Sequence, residues 1–201
     1  MGVTKLAWAK NGTPDTKGSA GSTMAITDAI GQDFNMVMSH CINVTGDASI
    51  RMRLNADSGA NYARRRSDNG GADSVQGSNT YSYWTGSAST GNVLYISYIC
   101  GIAGEEKLMM VWNTFSNTAG AGNAPTRFEL AAKWSNTSDS ITSFDGDAGG
   151  SYFDTSSNIS ALGSDLTPAA GQTATISDGA IFYETDTNKS YVLYNGSWTE
   201  L

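Results

Sequence analysis

Histidine is nearly missing from this chain. Among 201 residues there is one, His40, alongside two cysteines and three prolines. A zinc site of the usual kind draws three or four ligands from His and Cys, so none is expected here. A His-based triad would rest on His40 alone, and that residue lies in an apolar run where a satisfied, half-buried imidazole is the plainer role. Charge is scarce as well, at 15% of residues, against roughly 25% in ordinary soluble domains. Ser, Thr, Asn and Gly must therefore keep the surface wet. The 12 Lys and Arg are outnumbered by 19 Asp and Glu, for a net charge of −7. That balance argues against nucleic acid as a partner, because phosphate binding needs a concentrated positive field. No apolar stretch approaches the ~18 residues of a membrane span, so no membrane partner is expected. The opening residues MGVTKLAWAKNGTPDTKG lack the apolar core of a signal peptide, and synthesis in the cytoplasm is expected.

Helical periodicity is also missing, whereas period-two patterns recur. In SIRMRLN, Ile50, Met52 and Leu54 alternate with Ser49, Arg51 and Arg53, the pattern of a half-buried strand. FNMVMSHCINV (34–44) and NVLYISYICGI (92–102) are apolar on both faces and read as central strands. KLMMVWNTF (107–115), RFELAAKW (127–134), SITSF (140–144) and NISALG (158–163) supply further candidates. Between them lie turn clusters at 68–71, 116–125 and 145–150. The 23 glycines fit many tight turns. Strands spaced this way predict an all-β protein, an antiparallel β-sandwich or jelly roll. The expected organisation is an N-terminal arm over 1–23, the sandwich over 24–165, and a connector with a small β-hairpin or meander over 166–201. About thirty residues are too few for an independent core, so the last segment is expected to dock on something.

Candidate chemistry is thin. Asp145 and Asp147 in FDGDAGG invite a calcium reading, but Gly149 stands where a further ligand is needed and no Glu closes the loop. A polar turn is the plainer account. Glu105, Glu106 and Glu129 could serve glycoside hydrolysis only as a facing pair, and nothing marks one. No catalytic residue, cofactor or resident metal is therefore expected, and the chain reads as non-enzymatic. Tyr81, Tyr83 and Trp84 in NTYSYWTG could form an aromatic platform for a glycan, or could fill the core. Cys41 and Cys100 read as reduced apolar thiols, with a disulfide as the alternative.

Three blocks carry a resemblance: AITDAIGQDFNMVMSH; IRMRLNADSGANYARRRSDNGG, similar to a signature RxNxDxGxNYxxRxxxNGG; and EEKLMMVWNT with RFELAAKWSNTSDSITSFDGDAGGSYF and NISALGSD. Over about residues 24–165 the sequence resembles a family of virion structural proteins of tailed phages and environmental viruses. The end of the chain, GAIFYETDTNKSYVLYNGSWTEL, is similar to tails that recur on phage structural proteins. The resemblance implies a jelly-roll decoration protein, head fibre or tail component, located on the virion. Its partners would be copies of itself, in a homotrimer, and other virion proteins. The alternative is a receptor-reading module that binds a host surface glycan. Ala56 stands where the family often has Gly. Within the signature, Asn55, Asp57, Gly59 and Asn61 are expected to form a turn. Tyr62 and Arg65 are expected on one face of the next strand, with Arg64 and Arg66 on the other. Asp57, Tyr62, Arg65 and Asn69 would then brace turns and neighbouring subunits.

Overall fold

A computed structural model of the chain describes residues 8–41, 50–83, 92–116, 118–150, 152–165 and 178–201, none of them helical. The strands run in order β1 (Ala9–Lys10), β2 (Asp15–Thr16), β3 (Thr23–Ile26), β4 (Phe34–Cys41), β5 (Arg51–Leu54), β6 (Tyr62–Asp68), β7 (Ser74–Asn79) and β8 (Ser82–Tyr83). They continue with β9 (Asn92–Cys100), β10 (Lys107–Ser116), β11 (Thr126–Trp134), β12 (Phe144–Asp147), β13 (Asn158–Ser164), β14 (Ile181–Glu184), β15 (Lys189–Tyr194) and β16 (Ser197–Glu200). The chain separates into two compact units, one of them Ala7–Leu166 and the other containing Thr167–Leu201.

Two antiparallel sheets make up the first unit. The larger has the order β1-β13-β4-β9-β10-β11-β6-β7, with β2 also paired to β13; the smaller has the order β3-β12-β5-β8. Side chains alternate across each strand, and the inward set of both sheets forms one core. Met24, Ile26, Met52, Leu54 and Phe144 of the smaller sheet belong to the same buried cluster as Val37, Tyr95, Val111, Leu130 and Trp134 of the larger. The Tyr95 hydroxyl meets Met52 Sδ at 3.3 Å, which ties β9 to β5 across the layers. Full burial of each large apolar side chain stabilises the fold by about 1.5–3 kcal/mol. The protein is thus an all-β antiparallel sandwich.

Two expectations need correction. SITSF was expected as a strand, but 140–143 is irregular and the strand is Phe144–Asp147, inside the presumed turn cluster. The reason is local. Asn55 Oδ1 accepts from the backbone N–H groups of Thr142 and Ser143, and Asn55 Nδ2 donates to Ser140 O, so a side chain uses the groups a ladder would have used. Next, Gly146 falls opposite Met24 and Met52, while Asp145 and Asp147 fall opposite Arg53 and Arg51, whose charges make a strand of that composition tolerable. The presumed arm is also only partly one: Ala9–Lys10 and Asp15–Thr16 pair with β13 and extend the sheet edge.

In the second unit, β14, β15 and β16 form an antiparallel meander. Its second turn, Asn195-Gly196, has φ of 49° and 75°, as a two-residue hairpin with a right-handed twist requires. Phe182 packs against Tyr191 and Trp198, with ring centroids 6.2 and 6.0 Å apart.

Candidate functional site

The turn after β5 is a hub of hydrogen bonds, and the signature residues build it. Asn55 and Ala56 both adopt the left-handed conformation, with φ of 54° and 52°. Asn tolerates that region better than most residues and Ala does so only with strain. Asp57 then spends its carboxylate on three donors. Oδ1 accepts from Gly59 N at 2.7 Å, while Oδ2 accepts from Asn61 Nδ2 at 2.9 Å and Trp134 Nε1 at 2.6 Å. Burial on its own pushes the Asp57 carboxyl up, but these three donors outweigh it and hold the group below its ordinary value of 3.8. Tyr62 stacks on Trp134 with centroids 6.3 Å apart, and its hydroxyl accepts from Leu54 N and donates to Leu54 O. Burial pushes the Tyr62 phenol well above its ordinary range, so the hydroxyl stays protonated.

Arg65 is set apart from Arg64 and Arg66 as expected, but Tyr62 falls on the face opposite Arg65 and not on its own. Tyr62 and Arg64 share the buried face of β6, and Arg65 is exposed on the opposite face. Strict alternation from Tyr62 settles this, because the irregularity between Tyr62 and Arg64 lies in the pairing with β7 and leaves the faces of β6 unchanged. Arg65 pairs with Asp73 at 3.1 Å, both of them well exposed. Arg64 bonds Gln76, and Arg66 pairs with Asp68 while its guanidinium lies 5.0 Å from the Phe128 ring centroid. Asn69 follows at φ 52° and closes the β6–β7 turn; its Oδ1 accepts from Arg127 N at 3.0 Å.

On the outer face of the smaller sheet, most polar groups satisfy one another, the buried Arg51 Nε excepted. Arg53 pairs with Asp147 at 3.4 Å and donates to Thr80 O. Asp145 Oδ2 accepts from Ala56 N and Ser143 Oγ, and Asp147 Oδ1 accepts from Gly149 N. The two calcium candidates are thus engaged with arginine, hydroxyl and backbone N–H groups, and no set of three or more metal-ligating side chains comes together among the described residues. Tyr81, the one glycan-platform residue whose ring is described, is half-buried and carries the Arg51 guanidinium 4.5 Å over its centroid. That contact occupies one face of the ring. The Tyr83 side chain and Trp84 lie outside the described residues.

Other candidates also find partners. Glu106 pairs with Lys133 at 2.7 Å and Glu129 with Arg127 at 3.6 Å, while Glu105 is exposed in a turn. His40 is half-buried on the outward face of β4. Cys41 pairs with Val93 and Cys100 with Phe34, at opposite ends of the β4–β9 ladder. Seven residues of strand hold them about 23 Å apart, so an intrachain disulfide is excluded. Burial pushes the Cys41 thiol up to about 12, which makes it inert.

A different surface stands out, on the outward face of the larger sheet. The register sets its side chains in rows: Phe34, Cys100 and Leu108; Met36, Tyr98 and Met110; Met38, Ile96 and Trp112; His40, Leu94 and Thr114. Leu108 is 57% exposed, Met110 49%, Leu94 46%, Tyr98 45% and Trp112 41%. Trp8, Tyr98 and Trp112 form an edge-to-face chain with centroid spacings of 6.4 and 5.9 Å. A shallow depression of about 400 Å³ lies between Trp8, Phe34, Tyr98, Leu108 and Met110. On one side the stripe is bounded by Asn158, Ser160, Leu162 and Ser164 of β13, on the other by Arg127, Glu129, Ala131 and Lys133 of β11, so both borders are mostly polar and the row through Met36, Tyr98 and Met110 is apolar across all five strands. Sequence reasoning found these strands but not this surface. The signal was present: a strand apolar on both faces asks for cover on both, and among the described residues one face stays exposed.

Fold and surface together define an antiparallel β-sandwich with one self-satisfied outer face and one uncovered apolar one. Among known proteins, no family model, no curated protein and no solved structure matches the chain.

Proposed function

We propose that the protein is a non-enzymatic, multi-copy structural component of a virus particle, one that works by burying the apolar stripe of its larger sheet. The observation that carries the assembly part is the stripe itself. Apolar faces of this breadth, rimmed by polar residues, mark interaction sites rather than solvated surface. The carboxylates, by contrast, are spent on arginine, lysine and backbone donors, an arrangement suited to bracing rather than turnover.

Strand order supports the viral part, with the signature resemblance beside it. With the β9–β10 hairpin and the β1, β2 and β13 edge set aside, the remaining orders β3-β12-β5-β8 and β4-β11-β6-β7 are those expected of the double Greek key of a jelly roll. On this reading β9 and β10 are an insertion between β4 and β11. The stripe lies on that insertion and on its neighbour β4, so two of its three strands are ones the basic fold does not need. The test is mass spectrometry of particles purified from the chain's native source. Peptides of this chain should band with the main shell protein at a fixed ratio. Their confinement to the particle-free fraction would overturn the proposal.

A further inference from the structure

We infer that the occupant of the stripe is the same stripe of a second copy, stacked face to face about a two-fold axis that runs along β9. The inference rests on the assembly reading above and goes further by naming the partner and its geometry. Three observations lead to it.

Size is the first. Strands about 4.8 Å apart, with outward side chains about 6.8 Å apart along each, give roughly 33 Å² per position. The outward positions of β13, β4, β9, β10 and β11 form four aligned rows. These rows cover roughly 650 Å² on each copy and roughly 1,300 Å² in a pair, inside the roughly 1,200–2,000 Å² of stable interfaces. The apolar stripe supplies the dry centre and its borders the polar rim.

Charge is the second. Each copy carries −7, so most approaches between copies are repelled. The outward positions of β4, β9 and β10 hold no Asp, Glu, Lys or Arg, which leaves the stripe as a face where two acidic copies can meet without like-charge contact.

Register is the third. Apolar columns flank β9 on both sides, β4 and β10, and mostly polar columns lie beyond them, β13 and β11, each with one apolar position, Leu162 and Ala131, in the same row. A two-fold axis along β9 lays β4 over β10 and β13 over β11. Apolar then meets apolar, and Asn158, Ser160 and Ser164 meet Arg127, Glu129 and Lys133. Stacked sheets align within about 30° of each other, which this axis permits. A face that covers itself closes at two copies, so the stripe builds a dimer and not the trimer the resemblance implies.

Sedimentation of the full chain across a concentration series tests the inference, with Met110→Glu and Leu108→Lys as stripe variants and Val75→Glu as a control on exposed β7. The wild type and the control should reach twice the 21.1 kDa chain mass. Both stripe variants should sediment as monomers with unchanged melting temperatures, since Met110 and Leu108 are already exposed within one chain. A wild type that stays monomeric at several hundred micromolar, a trimer, or a dimer indifferent to both variants would overturn the two-fold. The particle assay separates this failure from the other one. A monomeric chain found at fixed ratio in particles would sink the dimer and leave the assembly reading standing, whereas a stripe-dependent dimer absent from particles would do the reverse.

Discussion

The two outer faces of the sandwich are built from similar strands and answer to opposite demands. On the smaller sheet, Arg51 and Arg53 face Asp147 and Asp145 across the ladder, Tyr81 lies under Arg51, and Asp145 accepts from Ala56 N while Asp147 accepts from Gly149 N. Little is left there for a partner to satisfy. On the larger sheet, the outward residues of β9 and β10 are mostly Leu, Ile, Tyr, Met and Trp, and among the described residues Leu94, Tyr98, Leu108, Met110 and Trp112 stay exposed. The first face is finished within the chain. The second is left exposed among the described residues, and so a change on either face should report on a different property.

The largest expected effect is on the finished side. Asp57→Ala strips acceptors from Gly59 N, Asn61 Nδ2 and Trp134 Nε1, and an orphaned indole N–H with the lost turn should cost about 2–4 kcal/mol. Chemical denaturation checks this, and the cost should shrink in a Trp134→Phe background. The same carboxylate sets a pH window. Because its folded pKa is held below the ordinary 3.8, its stabilisation is present above that value and is lost as pH falls through the lower folded value. The melting difference between wild type and Asp57→Asn should therefore persist at pH 5 and close only below 3.8.

Next in size is Ala56→Gly. With φ at 52°, Ala56 is strained, and glycine should add about 0.5–1 kcal/mol by relieving it. A loss of stability would mean that the Ala56 methyl packs usefully in the turn. A double-mutant cycle on Arg53 and Asp147, both about one-quarter exposed, should show coupling of about 0.5–1 kcal/mol that weakens with salt. The smallest effect is at the rim of the larger sheet. Arg65→Ala removes an exposed pair with Asp73 and should move stability by less than about 0.5 kcal/mol.

Much of this fold was legible because period-two patterning is local. Met52 and Leu54 against Arg51 and Arg53, or Phe128, Leu130, Ala132 and Trp134 in β11, declare their buried face by alternation alone. β12 was not legible as a strand. Its Asp145-Gly146-Asp147 has turn composition and becomes a strand only beside arginines some ninety residues earlier in the chain. The Asp57 hub was half legible: the turn could be foreseen from Asn, Asp and Gly at alternate positions, but its bond to Trp134 is a tertiary contact. Arg65 was placed with Tyr62 although they are three residues apart, against the alternation that holds elsewhere. The stripe could have been read from strands apolar on both faces, yet which face stays uncovered depends on where the smaller sheet lies.

Hydroxyl-radical footprinting of the dilute and the concentrated chain tests the contrast between the two faces most directly. Met110, Tyr98 and Trp112 should become protected as concentration rises, while Tyr81 on the finished face and the exposed Tyr152 should react to the same extent throughout. Equal oxidation of the stripe at all concentrations, or protection that falls on Tyr81 instead, would contradict the account.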